Sequence, residues 1–195
     1  MRTVISSTTI KWSSGGRWIE AFVGVHYLIY SVLPEHTHET SYEHGALCQL
    51  GLIGSQVLIE ITLGELLEPY VTNQNAESNF SLKKFQDTNF SKLRDKWISA
   101  LTNYSNLNPN DTPFEPFISA EKLLKLRNGS AHKSSDVVTV EMARSALFTA
   151  VETSKALYSH FDRSFPYQKT LEEYPLQKTP FLAETVKNLN LFTEV

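Results

Sequence analysis

From Ala46 to Leu67 the chain contains no Lys or Arg, and it is apolar on most sides when wound as a helix. A helix without a clean polar face must be enclosed by other helices or by lipid. Gln49, Gln56, Glu60 and Glu65 interrupt the stretch, and charge near the centre of a membrane-spanning helix is costly. Mean hydropathy over the chain is -0.25. The stretch is therefore expected to be the central helix of a soluble protein, running from about Ser41 to Pro69. Gly51 and Gly54 weaken it locally but admit the backbone of a neighbour.

The rest of the chain supplies that enclosure. Trp18, Phe22, Val25, Ile29 and Val32 recur at steps of four and three, marking one face of a helix over Arg17 to Leu33. Pro34 is expected to stop it. Val71 to Asp87 reads as a polar loop, and Phe90, Leu93, Trp97, Leu101 and Tyr104 set the face of a helix from about Phe90 to Leu107. After Pro109 and Pro113, a helix carries Phe117, Ala120, Leu123, Leu124 and Leu126 towards Arg127. Thr112 with Glu115, or Pro116 with Ser119, marks its start. The last long helix begins near Asp136 or Thr139, with Val140, Ala143, Leu147, Ala150, Ser154, Leu157 and Phe161 along one side.

These elements predict an all-α bundle of about five helices over residues 1–165. An irregular proline-rich extension, 166–195, then packs on the domain or crosses to a partner. Strand-like alternation is confined to Thr3 to Trp12 and is weak.

Composition narrows the function. The chain has 195 residues, 41% hydrophobic and 20% charged, which suits a conventional core rather than disorder. Lys+Arg total 18 against 21 Asp+Glu, a net charge of -3, so there is no overall basic coat for nucleic acid. The single cysteine, Cys48, leaves no internal disulfide and no all-cysteine zinc site. With no secretory signal at the start, a reducing cytoplasm is expected and no membrane.

One stretch carries chemistry. Leu123 to Ser134 reads LLKLRNGSAHKS, an amphipathic helix leading into Arg127 and Asn128, with His132 five residues after the arginine. Arg127-Asn128-Gly129-Ser130-Ala131-His132 resembles the R-x4-H motif of the HEPN superfamily, small α-helical bundles in which a polar residue, often Asn, follows the Arg. The helix order on both sides is similar too. Ser134 stands where some members carry an aromatic residue, a departure that touches the details of the site.

The resemblance implies metal-independent RNA cleavage at a composite site between two copies, with no cofactor. His132 would be the acid and base, Arg127 the phosphate clamp, and Asn128 an orienting group. A toxin or phage-defence role would follow, with an antitoxin as partner. Histidine, with a reference pKa of about 6.5, suits proton transfer near neutrality. Arginine offers a fixed cationic fork.

Geometry sets a condition. On an unbroken helix, residues five apart point about 140° away from one another. Either Gly129 breaks the helix and bends His132 back, or a second subunit completes the site. The same residues also make an ordinary helix ending, with Lys125 and Arg127 in the last turn and Gly129 in a left-handed terminal position.

Around the motif, Lys125 and Lys133, with Lys122, are candidates to track an RNA backbone. Glu60 needs a partner if buried; Arg127 is one choice, which would make Glu60 a support for the clamp, and exposure at a helix end is the other. Elsewhere, Glu35, His36, His38 and Glu39, followed by Glu43 and His44, are dense enough in ligands to hold zinc or nickel. Solvated polar residues are expected between helices in any case, nothing fixes a tetrahedral arrangement, and no metal is assigned. Lys83, Lys84, Lys92, Arg94 and Lys96 alternate with Asp87 and Asp95, as a solvated helix face does. His26 and His160 fall within helices as packing or surface residues. A module that binds RNA, a nucleotide or a protein without cutting is the alternative reading of the whole.

Overall fold

The computed structural model describes residues 14–35, 42–72, 115–132 and 138–189, with backbone alone for 14–15, 67–72 and 128–132. Every regular element among them is helical, and they form an all-α bundle. Helix α1 spans Ser14–Tyr27 and runs on through a π turn, Leu28–Val32, into the short α2, Leu33–Glu35. Then come α3, Tyr42–Thr72, α4, Phe117–His132, and α5, Val140–His160. Two short helices close the described chain: α6, Gln168–Glu173, and α7, Leu182–Asn188.

Helix α3 is the axis of the bundle, packed by α1, α4 and α5, with α5 its most extensive neighbour. Cys48, Leu52, Leu58, Ile59, Leu63 and Leu66 are buried around it. By length and composition its Tyr42–Leu66 stretch is the one helix among the described residues that could cross a membrane, and half of that apolar window is buried in the bundle. Contrary to expectation, α3 continues past Pro69 to Thr72.

Two glycines set how closely the neighbours approach. A Cβ on Gly54 would overlap Cγ2 of Val25 on α1. One on Gly51 would lie 3.3 Å from both Ala143 Cβ on α5 and Ile29 Cγ1. What the two glycines admit is side chains of the flanking helices, where the sequence suggests a neighbouring backbone.

Helix α1 corrects the sequence reading in two ways. Trp18, Phe22, Val25 and Ile29 are buried as expected, but the next buried position is Leu33, not Val32. In the π turn the Leu33 N–H donates to the carbonyl of Leu28, five residues back. That extra residue delays the apolar face by one position. Nor does Pro34 stop the helix; it is carried to Glu35. Proline lacks the N–H that would bond back one turn, and its ring crowds the carbonyl there, so a widened turn just before it accommodates it.

Thr139 caps α5: its Oγ1 accepts from the Met142 N–H at 3.3 Å. Ala143, Leu147, Ala150, Ser154 and Leu157 are fully buried along the expected side. Buried hydroxyls among them are satisfied locally. Thr62 Oγ1 donates to the Leu58 carbonyl and shares a hydrogen bond with Ser154 Oγ, each at 2.9 Å, and Thr153 Oγ1 donates to the Thr149 carbonyl at 2.7 Å. At the far end Asp162 takes a left-handed φ of 53°. The Arg163 N–H then returns to the Tyr158 carbonyl at 2.9 Å, a helix ending usually made with glycine.

The segment beyond is more ordered than the proline-rich sequence suggests. It forms α6 and α7, and Tyr167, Leu182 and Val186 belong to the same core as the bundle. Val71 and Thr72, expected to open a loop, belong to α3 instead; the rest of that loop, the expected helix over 90–107 and the alternation in 3–12 lie outside the described residues.

Candidate functional site

The motif sits on α4, whose start is fixed by its own sequence. The Glu115 carboxylate accepts from the Ser119 N–H at 3.2 Å and from Ser119 Oγ at 2.9 Å. That satisfies a first-turn donor which has no partner within the helix. Phe117, Ala120, Leu123, Leu124 and Leu126 are then buried, packing α4 against α3, α5 and α7. Lys125 faces outward, its side chain 69% exposed, and pairs with Glu121 one turn back at 3.0 Å. Arg127 is half-buried at the edge of this packing.

Past Arg127 the helix does not end. It continues through Asn128 and Gly129 to His132, and no described glycine has a positive φ. Two expectations are thereby corrected: Gly129 neither bends His132 back nor terminates the helix in a left-handed position. An α-helix tolerates an interior glycine at about 1 kcal/mol, and the buried turns before it hold α4 in register. Within one chain the Cα–Cβ directions of Arg127 and His132 therefore diverge by about 140°. The side chains of Asn128 and His132, and all of Lys133, lie outside the described residues.

Glu60 lies mid-way along α3 and is half-buried, so it does not mark an exposed helix end. Arg127 is on the neighbouring α4, and α3 and α4 pack together. In the proposed metal loop, His44 is buried on the first turn of α3, while His36, His38 and Glu39 fall outside the described residues. Among those described, no three His, Cys, Asp or Glu side chains cluster as a metal site would require. Lys83, Lys84, Lys92, Arg94 and Lys96 also lie outside.

The sequence reading misses a second constellation altogether. Glu65 of α3 accepts hydrogen bonds from two tyrosines. Tyr158 of α5 donates at 2.8 Å, and Tyr167, whose oxygen lies 2.7 Å from each carboxylate oxygen, shares its one hydrogen between them. Around them, Trp18 stacks flat on Tyr167, ring centres 4.4 Å apart, and on Phe22 at 5.2 Å. Phe165 stands edge-on to Trp18, Tyr158 and Tyr167. Burial, then the hydrogen bond to Glu65 and its charge, push both phenols well above the ordinary tyrosine value. A carboxylate held this way is a junction of three segments. The hint in the sequence is Glu65 itself, an acid on an apolar helix; its partners are 93 and 102 residues away, beyond the reach of any local pattern.

The remaining titratable candidates are packed. His26 lies among Phe22, Tyr30 and Tyr174, with Nε2 3.3 Å from the Pro175 carbonyl. His160 contacts the Phe117 ring, and partial burial lowers its pKa. Cys48 is fully buried; burial, then the nearby Glu141, push its thiol up to about 11. A thiol so protected is a poor nucleophile. No protein-family model matches the chain, and no match is found among curated proteins or solved structures.

Proposed function

We propose that this chain is a metal-independent endoribonuclease of HEPN type, with Arg127, Asn128 and His132 as its reacting set. The observation that carries the reading is the continuity of α4 through the whole motif. Diverging by about 140°, Arg127 and His132 of one chain do not converge on one phosphate. Two copies with their α4 ends opposed bring both kinds of side chain to a shared cleft, so the active form is a homodimer.

In that cleft the imidazole of His132 takes the proton from a ribose 2'-hydroxyl, whose oxygen forms a bond to the adjacent phosphorus. The bond from phosphorus to the 5'-oxygen breaks, and that oxygen leaves with a proton from an imidazolium. The products are a 2',3'-cyclic phosphate and a 5'-hydroxyl. The Arg127 guanidinium holds the non-bridging oxygens as negative charge grows on them, and Asn128 orients the ribose or phosphate. Glu60 steadies Arg127 from α3.

Lys125 and Lys133 follow the RNA backbone. The exposed pair that Lys125 makes with Glu121 is of a weak kind that a phosphate readily displaces. The reaction needs no metal or cofactor. The role that goes with this chemistry is that of a cytoplasmic toxin or phage-defence effector, restrained by an antitoxin protein.

The test is cleavage of end-labelled structured and single-stranded RNA in EDTA by wild type, His132→Ala and Arg127→Ala, with circular dichroism to establish folding. Cyclic-phosphate ends from wild type and a loss of at least about 100-fold in each folded variant are expected. Variants that match wild type, or no cutting at all, would refute the assignment. Tight RNA binding without cutting would move the chain to the binding-module class.

A further inference from the structure

The segment after α5 is held at two ends by different chemistry. Its near end, Phe165–Tyr174, is wedged into the aromatic cluster, with Tyr167 stacked on Trp18 and hydrogen-bonded to Glu65. Withdrawing it would expose several aromatic rings and leave the carboxylate short of a donor, which is costly. The far end is α7. Here Leu182 N–H donates to Thr149 Oγ1 at 3.1 Å, and Ala183 N–H donates to Ser119 Oγ at 2.9 Å. Ser145 Oγ and Thr185 Oγ1 share a hydrogen bond at 2.7 Å. The groove beneath α7 is thus lined by the hydroxyls of Ser119, Ser145 and Thr149, groups that water can satisfy once α7 lifts. Leu182 and Val186 are its buried apolar anchors. Between the two ends, Pro175 to Pro180 forms no helix, and Pro175, Gln177, Lys178 and Pro180 are exposed.

Helix α4, which carries the motif, is packed by α3, α5 and α7. Removing α7 would uncover one side of α4 and take from Ser119 the donor that links it to Ala183.

We infer that residues 165–189 form a strap fixed at Tyr167 and releasable at α7, and that release of α7 loosens helix α4. This is a conformational device of the fold, and it stands whether or not the chain cuts RNA. In ordinary terms, α7 and the first half of α4 share one local opening that leaves the rest of the bundle closed.

Hydrogen–deuterium exchange of the full chain, read by mass spectrometry, tests it. In wild type, peptides from 181–189 and 117–127 should open with matching protection, well below that of 140–160 and of 165–173. Thr149→Val keeps the side-chain shape and removes the acceptor of the Leu182 N–H. It should speed exchange of both peptides by about tenfold and leave 165–173 unchanged. Tyr167→Phe should loosen 165–173 without reproducing that pattern. Acceleration of 181–189 alone would overturn the coupling, and uniform acceleration of the whole chain would overturn the independence of the two ends. If Thr149→Val does not fold, the wild-type comparison decides alone: unequal protection of α7 and the first half of α4 refutes the strap.

Discussion

Replacing Gly54 by alanine sets two well-calibrated effects against each other. In a helix interior alanine is favoured over glycine by about 1 kcal/mol, so propensity alone predicts a more stable protein. The new Cβ, however, would overlap Cγ2 of Val25. Val25 is buried on α1, and a β-branched side chain on a helix has almost no freedom to rotate away. Helix α1 must move instead, and overpacking of this kind costs about 1–3 kcal/mol. The net is a loss of roughly 1 kcal/mol. Gly64, on the same helix, has nothing within 4 Å of the position a Cβ would take, so Gly64→Ala should gain about 0.5–1 kcal/mol. For a chain of this size the two variants should melt roughly 4–8 °C apart, on opposite sides of wild type. Val25→Ala should recover most of the loss, a coupling of about 1–2 kcal/mol in a double-mutant cycle. Urea unfolding followed by far-UV circular dichroism measures each term. Gly54→Ala as stable as Gly64→Ala would refute the close approach of α1 to α3.

Tyr158 and Tyr167 hold their protons in the fold at pH values where an unfolded tyrosine, with a reference value of 10.0, has begun to lose its own. Above that value the unfolded chain binds fewer protons than the folded one, so their contribution to stability is full below pH of about 10 and falls as pH rises. Ultraviolet titration should show two phenols ionising late, and Glu65→Gln should bring both down. Cys48 should react with a thiol reagent only as the protein unfolds; rapid labelling of native protein would contradict its burial. Thr139→Ala should lower stability by about 1 kcal/mol through loss of the cap on α5, as read from the urea midpoint.

Local repetition was enough to place the long helices α1 and α5. The apolar positions of α5 and the first turns of α1 repeat within a few residues, and each such repeat encodes a buried face without reference to the rest of the chain. The enclosure of α3 followed from its lack of a polar side. Its glycines likewise announced close neighbours, although only the fold says that these are Val25, Ile29 and Ala143. The spacing of Arg127 and His132 was legible too, along with the condition that an unbroken helix would separate them.

Whether α4 was unbroken could not be read locally. Gly129 ends a helix or sits inside one depending on how firmly the preceding turns are held, and here Leu123, Leu124 and Leu126 are buried against other elements. The π turn that shifts burial from Val32 to Leu33 is likewise set by what Leu33 packs into, and by the helix continuing through Pro34. The junction of Glu65 with Tyr158 and Tyr167, and the seat of α7 on Ser119, Ser145 and Thr149, join residues far apart in the chain. Side chains this small or this polar carry no periodic signal. Only when the backbone has closed are their hydrogen-bonding groups removed from water and obliged to find each other.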